Sequence, residues 1–223
     1  MFSVPYRYSH YDAKGTKVCI MNSVKTLFKN INYNWLLFFI YAVITFTVIF
    51  YHEYDCDEVL AWNIAHAESV SAFFEQVRRE GMPHLWYIIS QLFIKFGFSI
   101  FSVRLVAWGI VLSAVMFFML KAPFNLFFKI IFIFNAGMVY YYPIEVRNYS
   151  LIPLFLFLLA YLYPKRYNIP IVYSLLIILL FQSHPYIGGF CFILSFLFIF
   201  ETLYILICRK PFNNNIKDPL GGG

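Results

Sequence analysis

The chain has 223 residues, of which 61% are apolar and only 13% are charged, and its formal net charge is +6. Soluble domains are about half apolar and about a quarter charged, so this composition excludes an ordinary water-soluble domain and indicates a protein solvated largely by lipid. The basic residues lie at the ends of apolar runs and accompany no nucleic-acid-binding motif. We therefore interpret the charge as a determinant of membrane topology and expect no nucleic-acid partner.

Seven apolar runs are candidates for membrane helices. They are residues 35–51, 84–98, 101–120, 124–142, 149–163, 168–183 and 186–208. A spanning helix needs about 20 apolar residues, with about 17 as the lower limit. The run 84–98 is too short and contains Lys95 and Gly97. Because 149–163 and 168–183 are also short, length alone does not identify the runs that cross.

The distribution of basic residues selects among the topologies. If 84–98 lies in the interface, the other six runs cross and the N-terminus is cytoplasmic, then 12 of the 17 Lys and Arg residues are inside. The five outside are Arg78, Arg79, Lys95, Arg104 and Arg147. If 84–98 crossed as well, every later basic segment would change side. Since cytoplasmic segments carry the excess of Lys and Arg, we predict an all-α polytopic transmembrane bundle with about six spans and both termini in the cytoplasm.

The predicted organisation has three parts. Residues 1–34 form a basic cytoplasmic tail, residues 35–208 form the transmembrane domain, and residues 209–223 form a polar cytoplasmic tail. The first apolar run lacks a small-residue cleavage site, so we predict that it remains as a membrane anchor and is not a signal peptide.

The first outer loop, about residues 52–83, contains an amphipathic pattern. Its apolar positions recur at helical spacing: Val70, Phe73, Phe74 and Val77. Charged residues occupy the opposite side, so we predict a helix that lies in the membrane interface. Gly81 and Pro83 are predicted to end it and to begin the next element.

Acidic residues concentrate on the predicted outer side. Eight of the 11 Asp and Glu residues fall there, and four lie within residues 53–58. Carboxylates so close together repel one another and ionise together only beside water, a cation or a basic ligand. The segment is therefore either a general base or divalent-metal site, or a solvated loop that faces outward.

The four cysteines form no C-x-x-C pair and indicate neither a disulfide framework nor a zinc site.

Three further outer segments carry residues suited to binding. Glu80 precedes a turn and an aromatic-rich run, which places it at the membrane surface. Glu145 and Arg147 lie between two apolar runs, where unpaired charges are costly, and arginine suits phosphate because its planar fork binds two oxygens. His184 lies at another outer boundary. A helix boundary, a local ion pair or an interfacial histidine would explain each segment alone.

Together these segments resemble the GT-C membrane glycosyltransferases, and more narrowly their protein mannosyltransferase and aminoarabinose transferase branch (glycosyltransferase family 39-like). Asp57-Glu58, followed by AWNIA, is similar to that branch's first-loop signature. The segment GMPHLWY at 81–87 resembles its Pro-Pro-Leu-Tyr-Tyr turn, with His84 in place of the second proline. The segment SVRL at 102–105 resembles the Arg-Leu start of its next span, and YYPIEVRNYSL at 141–151 resembles its Tyr-Tyr-Ser-x-Glu-Ala-Arg-x-Tyr-Ser-Leu segment. The resemblance covers about residues 35–206, and members of the branch are usually much longer.

The resemblance implies transfer of a sugar from a polyprenyl-phosphate donor to a lipid, glycan or protein acceptor at the outer face of a bacterial cytoplasmic membrane. Asp57 would be the general base, and Glu58 or Glu80 would position the acceptor or a cation. The residues implied to bind substrate or the leaving phosphate are Glu80, His84, Arg104, Glu145, Arg147 and His184. Whether Asp55 and Asp57 hold a divalent cation, Mg²⁺ or Mn²⁺, stays open, because branches of the family differ in metal use.

Two other classes stay open from the sequence. One is a polysaccharide polymerase or lipid-sugar flippase, which also combines many spans with charged outer loops. A flippase should need ionisable residues through the middle of its spans, and only Glu201 qualifies under the predicted topology. The other is a truncated or non-catalytic membrane subunit, which the short chain favours.

Overall fold

The structure, a computed structural model, describes residues 33–208, which form helices joined by short loops. The helices are α1 (Tyr33–Tyr51), α2 (Cys56–Ala65), α3 (Val70–Glu80), α4 (Leu85–Lys95), α5 (Ile100–Lys121), α6 (Leu126–Ile133), α7 (Gly137–Ile144), α8 (Leu151–Leu162), α9 (Pro170–Phe181) and α10 (Gly188–Cys208). No strand occurs in this range, which confirms the all-α prediction. The predicted tails 1–34 and 209–223 lie outside the described residues, apart from Tyr33 and Asn34, which open α1.

Helix length supports fewer membrane spans than the charge argument predicts. Three helical segments are long and apolar enough to cross a membrane: α1, α5 and Pro185–Ile207, which includes all of α10 except Cys208. The pair α6–α7 makes a fourth if it is one broken span. Helices α8 and α9 have 12 residues each, fewer than the about 17 that a straight span needs. The structure therefore shows three or four candidate spans, and the six-span topology is not confirmed.

A sharp bend separates α6 from α7. The axes of the two helices differ by 61°, and α7 begins with a π-helical turn over Gly137–Tyr141. A π turn contains one more residue than an α turn and changes the direction of the side chains after it, often at functional sites. The predicted run 124–142 is therefore two helices with different axes.

Helix α5 is the central element of the bundle. Its fully buried face, Ala107, Val111, Ala114 and Val115, recurs at helical spacing. Small residues on this face let neighbouring helices approach closely, and α1, α7 and α8 pack around it. By contrast, only 6% of the apolar window Pro185–Ile207 is buried, so α10 presents most of its apolar side chains outward, as a lipid-facing helix would.

The first outer loop folds into a compact unit of α2, α3 and α4. Ser69 caps the start of α3 by accepting a hydrogen bond from the backbone N–H of Ala72, and Gly81 ends it in a left-handed conformation with φ of 72°. Phe73 and Val77 are buried against α2 and α4, whereas Val70 is 69% exposed. The structure confirms the predicted amphipathic helix, and its position in the membrane interface stays a prediction.

Candidate functional site

The acidic segment 53–58 is ordered by the start of α2. Asp55 is the N-cap residue, and its Oδ1 accepts a hydrogen bond of 2.7 Å from the backbone N–H of Glu58. In return, the Glu58 carboxylate accepts one of 3.0 Å from the backbone N–H of Asp55. This reciprocal capping box satisfies two N–H groups that an isolated helix end leaves unpaired. It also fixes Asp57 and Glu58 in the first turn, where the helix dipole favours negative charge.

The carboxylate of Glu58 is fully buried and accepts hydrogen bonds at both oxygens. Its Oε1 accepts from the backbone N–H of Val146 at 2.6 Å and contacts the Arg104 guanidinium at 3.5 Å. Its Oε2 accepts from His52 Nε2 at 3.0 Å, as well as from Asp55. Because a buried carboxylate is stable only when its oxygens are paired, this group joins the end of α1, the start of α2, α5 and the loop after α7.

Arg104 is also committed to contacts within the protein. It is 2% exposed, and its guanidinium donates to the backbone carbonyls of Ile49 at 3.4 Å and His52 at 3.0 Å. These carbonyls belong to the C-terminal end of α1, where a cation is favoured by the helix dipole. The Tyr54 ring lies 3.8 Å from the guanidinium carbon and covers it. Its Nε finds no hydrogen-bond partner among residues 33–208, but the side chain has almost no exposed surface, so the geometry suits Arg104 to holding α1 and Glu58.

Arg147 meets two carboxylates from different helices. One terminal nitrogen pairs with Asp57, and the other lies 3.8 Å from Glu80 Oε1. The Arg147 side chain is 7% exposed, whereas that of Asp57 is 60% exposed and that of Glu80 is 21% exposed. Solvent therefore reaches the Asp57 and Glu80 carboxylates, while the Arg147 guanidinium lies buried beneath them. The structure brings together these three predicted residues, which are distant in sequence.

The backbone on either side of Arg147 is held firmly. The N–H of Val146 donates to Glu58, and its carbonyl accepts a 3.1 Å hydrogen bond from the buried Trp86 indole. The Ser150 hydroxyl donates to the Arg147 carbonyl at 3.2 Å. These bonds orient Arg147 from its own main chain, independently of its ion pair with Asp57.

Next to Arg147 lie two buried donors without a protein partner. His184 is 2% exposed, stacks on the Tyr149 ring at 4.8 Å, and accepts a 3.2 Å hydrogen bond from the Tyr186 N–H at Nδ1. Its proton must then be on Nε2, which finds no hydrogen-bond partner among residues 33–208, and neither does Nδ2 of Asn148. Buried polar atoms of this kind are normally satisfied by water or a ligand.

Two other predicted residues occupy different surroundings. Glu145 lies beside the acidic segment, and burial, together with the negative charges of Asp55 and Glu58, raises its pKa above the ordinary value. His84 precedes α4 and packs on the Phe74 ring at 5.5 Å. Within the described residues no hydrogen bond or ion pair joins His84 to Arg147.

The donor set does not fit a divalent cation in the arrangement seen. Asp55 is engaged as the cap of α2, and Asp57 is paired with Arg147. Residues 33–208 contain no cluster of three or more His, Cys, Asp or Glu side chains placed to hold a metal ion. Hard divalent cations need several convergent oxygen ligands, so we derive no step through a metal.

Comparison of the chain with models of known protein families, with curated proteins and with solved structures finds no match. The functional argument therefore depends on the residues of the site itself.

Sequence reasoning missed several residues that build the site. The structure places four side chains beyond the predicted ones in or beside the network around Glu58 and Arg147: His52, Tyr140, Trp86 and Asn148. Trp86 and Asn148 lie within segments that carry the resemblance, 81–87 and 141–151, but are not predicted there as site residues. A weak signal for His52 does exist: it is the first ionisable residue after the apolar run of α1, six positions before Glu58.

The burial of Glu58 and the exposure of Asp57 predict different effects on stability. Glu58→Gln leaves the Arg104 guanidinium buried without its counter-charge, so we expect a loss of about 3–5 kcal/mol. Asp57→Asn removes a carboxylate that is 60% exposed and leaves Arg147 with Glu80 as a counter-charge, so it should cost less, about 1 kcal/mol. Denaturant unfolding in detergent micelles measures both, with Glu75→Gln in the exposed pair of α3 as the control. Equal losses for Glu58→Gln and Glu75→Gln would contradict the network.

The environment of His184 predicts a pH dependence of stability. Burial, together with the positive charge of Arg147, lowers the pKa of His184. The unfolded chain therefore binds a proton at this position near pH 6.5 while the folded chain stays neutral, so stability falls as the pH is lowered through that value. Unfolding midpoints at a series of pH values should fall less steeply for His184→Phe than for the wild type. Parallel curves for the two proteins would argue against the assignment.

Proposed function

We propose that the protein is a membrane glycosyltransferase that moves a sugar from a polyprenyl-phosphate donor to an acceptor hydroxyl at the non-cytoplasmic face. The observation that carries the proposal is the position of Arg147 between the two accessible carboxylates of Asp57 and Glu80. A phosphate-binding cation and a candidate base then lie in contact at one surface. The order of these residues along the chain is also that of the glycosyltransferase branch that the sequence resembles.

The chemistry requires one cation and one base. The acceptor hydroxyl gives its proton to the Asp57 carboxylate, and its oxygen bonds to the anomeric carbon of the sugar. The bond from that carbon to the phosphate oxygen breaks, and its electron pair leaves with the lipid phosphate. Phosphate is a good leaving group, so a general base contributes more than a general acid. Arg147 stabilises the charge that develops on the leaving oxygen.

Donor binding changes the partner of Arg147 in this scheme. Without donor, Arg147 is paired with Asp57, so the Asp57 carboxylate is occupied. When the donor phosphate takes over the guanidinium, the Asp57 carboxylate is released and is free to accept the proton of the acceptor hydroxyl while the reacting sugar is present. Glu80, at 3.8 Å, keeps the second nitrogen of Arg147 in place. The unpaired donors of Asn148 and His184 offer hydrogen bonds to further oxygen atoms of the substrate.

Glu58 and Arg104 have supporting roles in this proposal. The sequence pattern placed Glu58 with the catalytic acids and Arg104 with the phosphate ligands. Their burial and their mutual contact suit them instead to holding the first loop against α1 and α5. Asp57 is consequently the single base in the proposed reaction.

The proposed topology places the site outside the cytoplasm. Helix α5 has 22 residues, from Ile100 to Lys121, a length of about 33 Å that matches the hydrocarbon core. Arg104, near its start, lies beside the site, and Lys121 lies at the other end. Lys129 donates to the Met119 carbonyl at 2.6 Å, so it lies near the Lys121 end. Because basic residues favour the cytoplasmic side, the Lys121 end faces inward and the Asp57 site faces outward. We retain six spans and cytoplasmic termini as part of the proposal.

The position of Glu201 disfavours a flippase. Its carboxylate accepts hydrogen bonds from Arg166 at 2.8 and 3.2 Å and from the Tyr167 hydroxyl. Arg166 lies just after α8, whose other end adjoins the site, so this ion pair lies at the far end of the bundle. Glu201 is thereby neutralised at one end of the bundle, and the ionisable residue that a transport path would use is already paired.

Asp57→Asn tests the assignment of the base. We expect at least about a 100-fold loss of sugar transfer, because an amide cannot accept the acceptor proton. The measurement is transfer from a polyprenyl-phosphate sugar in membranes that contain equal amounts of each protein. Glu53→Gln, an exposed carboxylate of the same loop, is the control and should keep wild-type activity. Unchanged sugar transfer by Asp57→Asn would refute the assignment of Asp57 as the base. A wild-type protein that transfers no sugar would favour a non-catalytic subunit.

The native Cys56, exposed beside Asp57, reports the side on which the site lies. In a chain with the other three cysteines changed to Ser, a membrane-impermeant maleimide should label Cys56 in intact cells. In a chain that lacks all four cysteines, Lys121→Cys should react only after the cells are permeabilised. The two rates are read by gel shift. Labelling of both positions from the same side would refute the outward orientation.

A further inference from the structure

A hydroxyl, an imidazole and a carboxylate form a continuous chain beside the site. The Tyr140 hydroxyl lies 2.9 Å from His52 Nδ1, and His52 Nε2 lies 3.0 Å from Glu58 Oε2. Glu58 is fully buried, the His52 side chain is 9% exposed, and Tyr140 is 40% exposed. The chain therefore leads from the surface of α7 to the carboxylate on which the first loop is assembled.

The direction of each hydrogen bond is determined by the carboxylate. An ionised carboxylate only accepts hydrogen bonds, so His52 Nε2 carries the proton and donates to Glu58. In the neutral imidazole Nδ1 is then an acceptor, and the Tyr140 hydroxyl donates to it. Each atom of the chain has a partner that matches its role, and the bond that His52 makes at one nitrogen fixes the tautomer required at the other.

The π turn of α7 places Tyr140 for this contact. The Tyr41 hydroxyl of α1 donates to the Met138 carbonyl within the turn. A side chain at Gly137 would begin 3.1 Å from the Asn135 side-chain oxygen and 3.3 Å from the Tyr142 ring, so the turn is tightly packed from both directions. Tyr140 therefore projects toward the end of α1 from a backbone that is held on both sides.

We propose that His52 is a positioning residue for the transfer reaction, acting with Tyr140 through Glu58 on Arg147. The inference rests on the proposed function. His52 supplies one of the two donors to Glu58 Oε2, and the opposite oxygen receives the N–H of Val146, the residue before Arg147. When His52 is removed, the Glu58 carboxylate can rotate, and its 2.6 Å hydrogen bond from the Val146 N–H lengthens. The Arg147 guanidinium is then displaced from the position in which it binds the donor phosphate. Displacement of about 1 Å at such a group costs about 100-fold in rate.

The test separates misplacement of Arg147 from a loss of folded protein. A partly unfolded preparation lowers kcat in proportion to the inactive fraction and leaves KM unchanged. A displaced Arg147 weakens the hold on the donor phosphate, so the donor KM rises as well. For His52→Phe we expect the donor KM to rise about tenfold, while the acceptor KM changes little. His66→Phe, the same substitution at the exposed histidine that follows α2, is the control.

Two conservative variants divide the contacts of His52. His52→Gln keeps a donor near the position of Nε2 and should recover most of the lost affinity. His52→Asn reaches only toward the Tyr140 side and should not. In an Arg147→Lys background, His52→Phe should have little further effect on the donor KM, because residues that act through one another are not additive.

Tyr140→Phe keeps the inference falsifiable if His52→Phe does not fold. It removes one exposed hydroxyl and should raise the donor KM in the same direction, by less, whereas Tyr51→Phe at an 83% exposed neighbour should not. An active wild type whose donor KM is unchanged in the folded His52 and Tyr140 variants would overturn this inference alone. A wild type without transfer would overturn the proposed function, and the inference with it.

Discussion

The structure depends on one buried carboxylate that accepts hydrogen bonds from four directions. Glu58 is paired at both oxygens by groups from α1, from the start of α2, from α5 and from the segment that precedes Arg147. Such a group is costly to bury, and removing it leaves its buried donors unpaired, so its loss is felt in all the elements that it joins. The accessible site of Asp57, Glu80 and Arg147 is built on this internal arrangement.

The arrangement separates two tasks between adjacent residues. Successive residues of a helix point in different directions, so in the first turn of α2 Asp57 faces the accessible side and Glu58 faces the interior. The charged groups that a reaction would use are therefore near the surface, while the groups that hold them are inside. This arrangement holds the Arg147 guanidinium in place in the absence of a ligand. Preorganised charges of this kind are the main way in which electrostatics accelerate enzyme reactions.

Much of the helical framework could be predicted from the sequence, because in lipid the apolar runs themselves mark the helices. All seven runs contain helices, and the amphipathic stripe identified α3. The break between α6 and α7 was missed because hydropathy does not register a π turn within an apolar run. Helix α2 was also missed, since it is short and mixed in polarity, and its stability comes from a capping box and tertiary packing.

The site was predictable at the level of residue types and less so at the level of geometry. Asp57, Glu80 and Arg147, which the resemblance assigns to one site, lie in contact. The distinction between exposed Asp57 and buried Glu58 was not accessible, because both belong to one acidic cluster and only tertiary contacts tell them apart. His52 was overlooked for a related reason: a single histidine at the end of a span usually indicates no more than an interface.

The hydrogen bonds from Arg104 to the backbone carbonyls at the end of α1 have a mechanical consequence. They couple the end of one long apolar helix to the second turn of another, so these bonds resist sliding of α1 past α5. A bilayer of different thickness must then be accommodated by tilting the two helices together. In the proposed topology, the height of the site relative to the bilayer is thus set by this pair of helices.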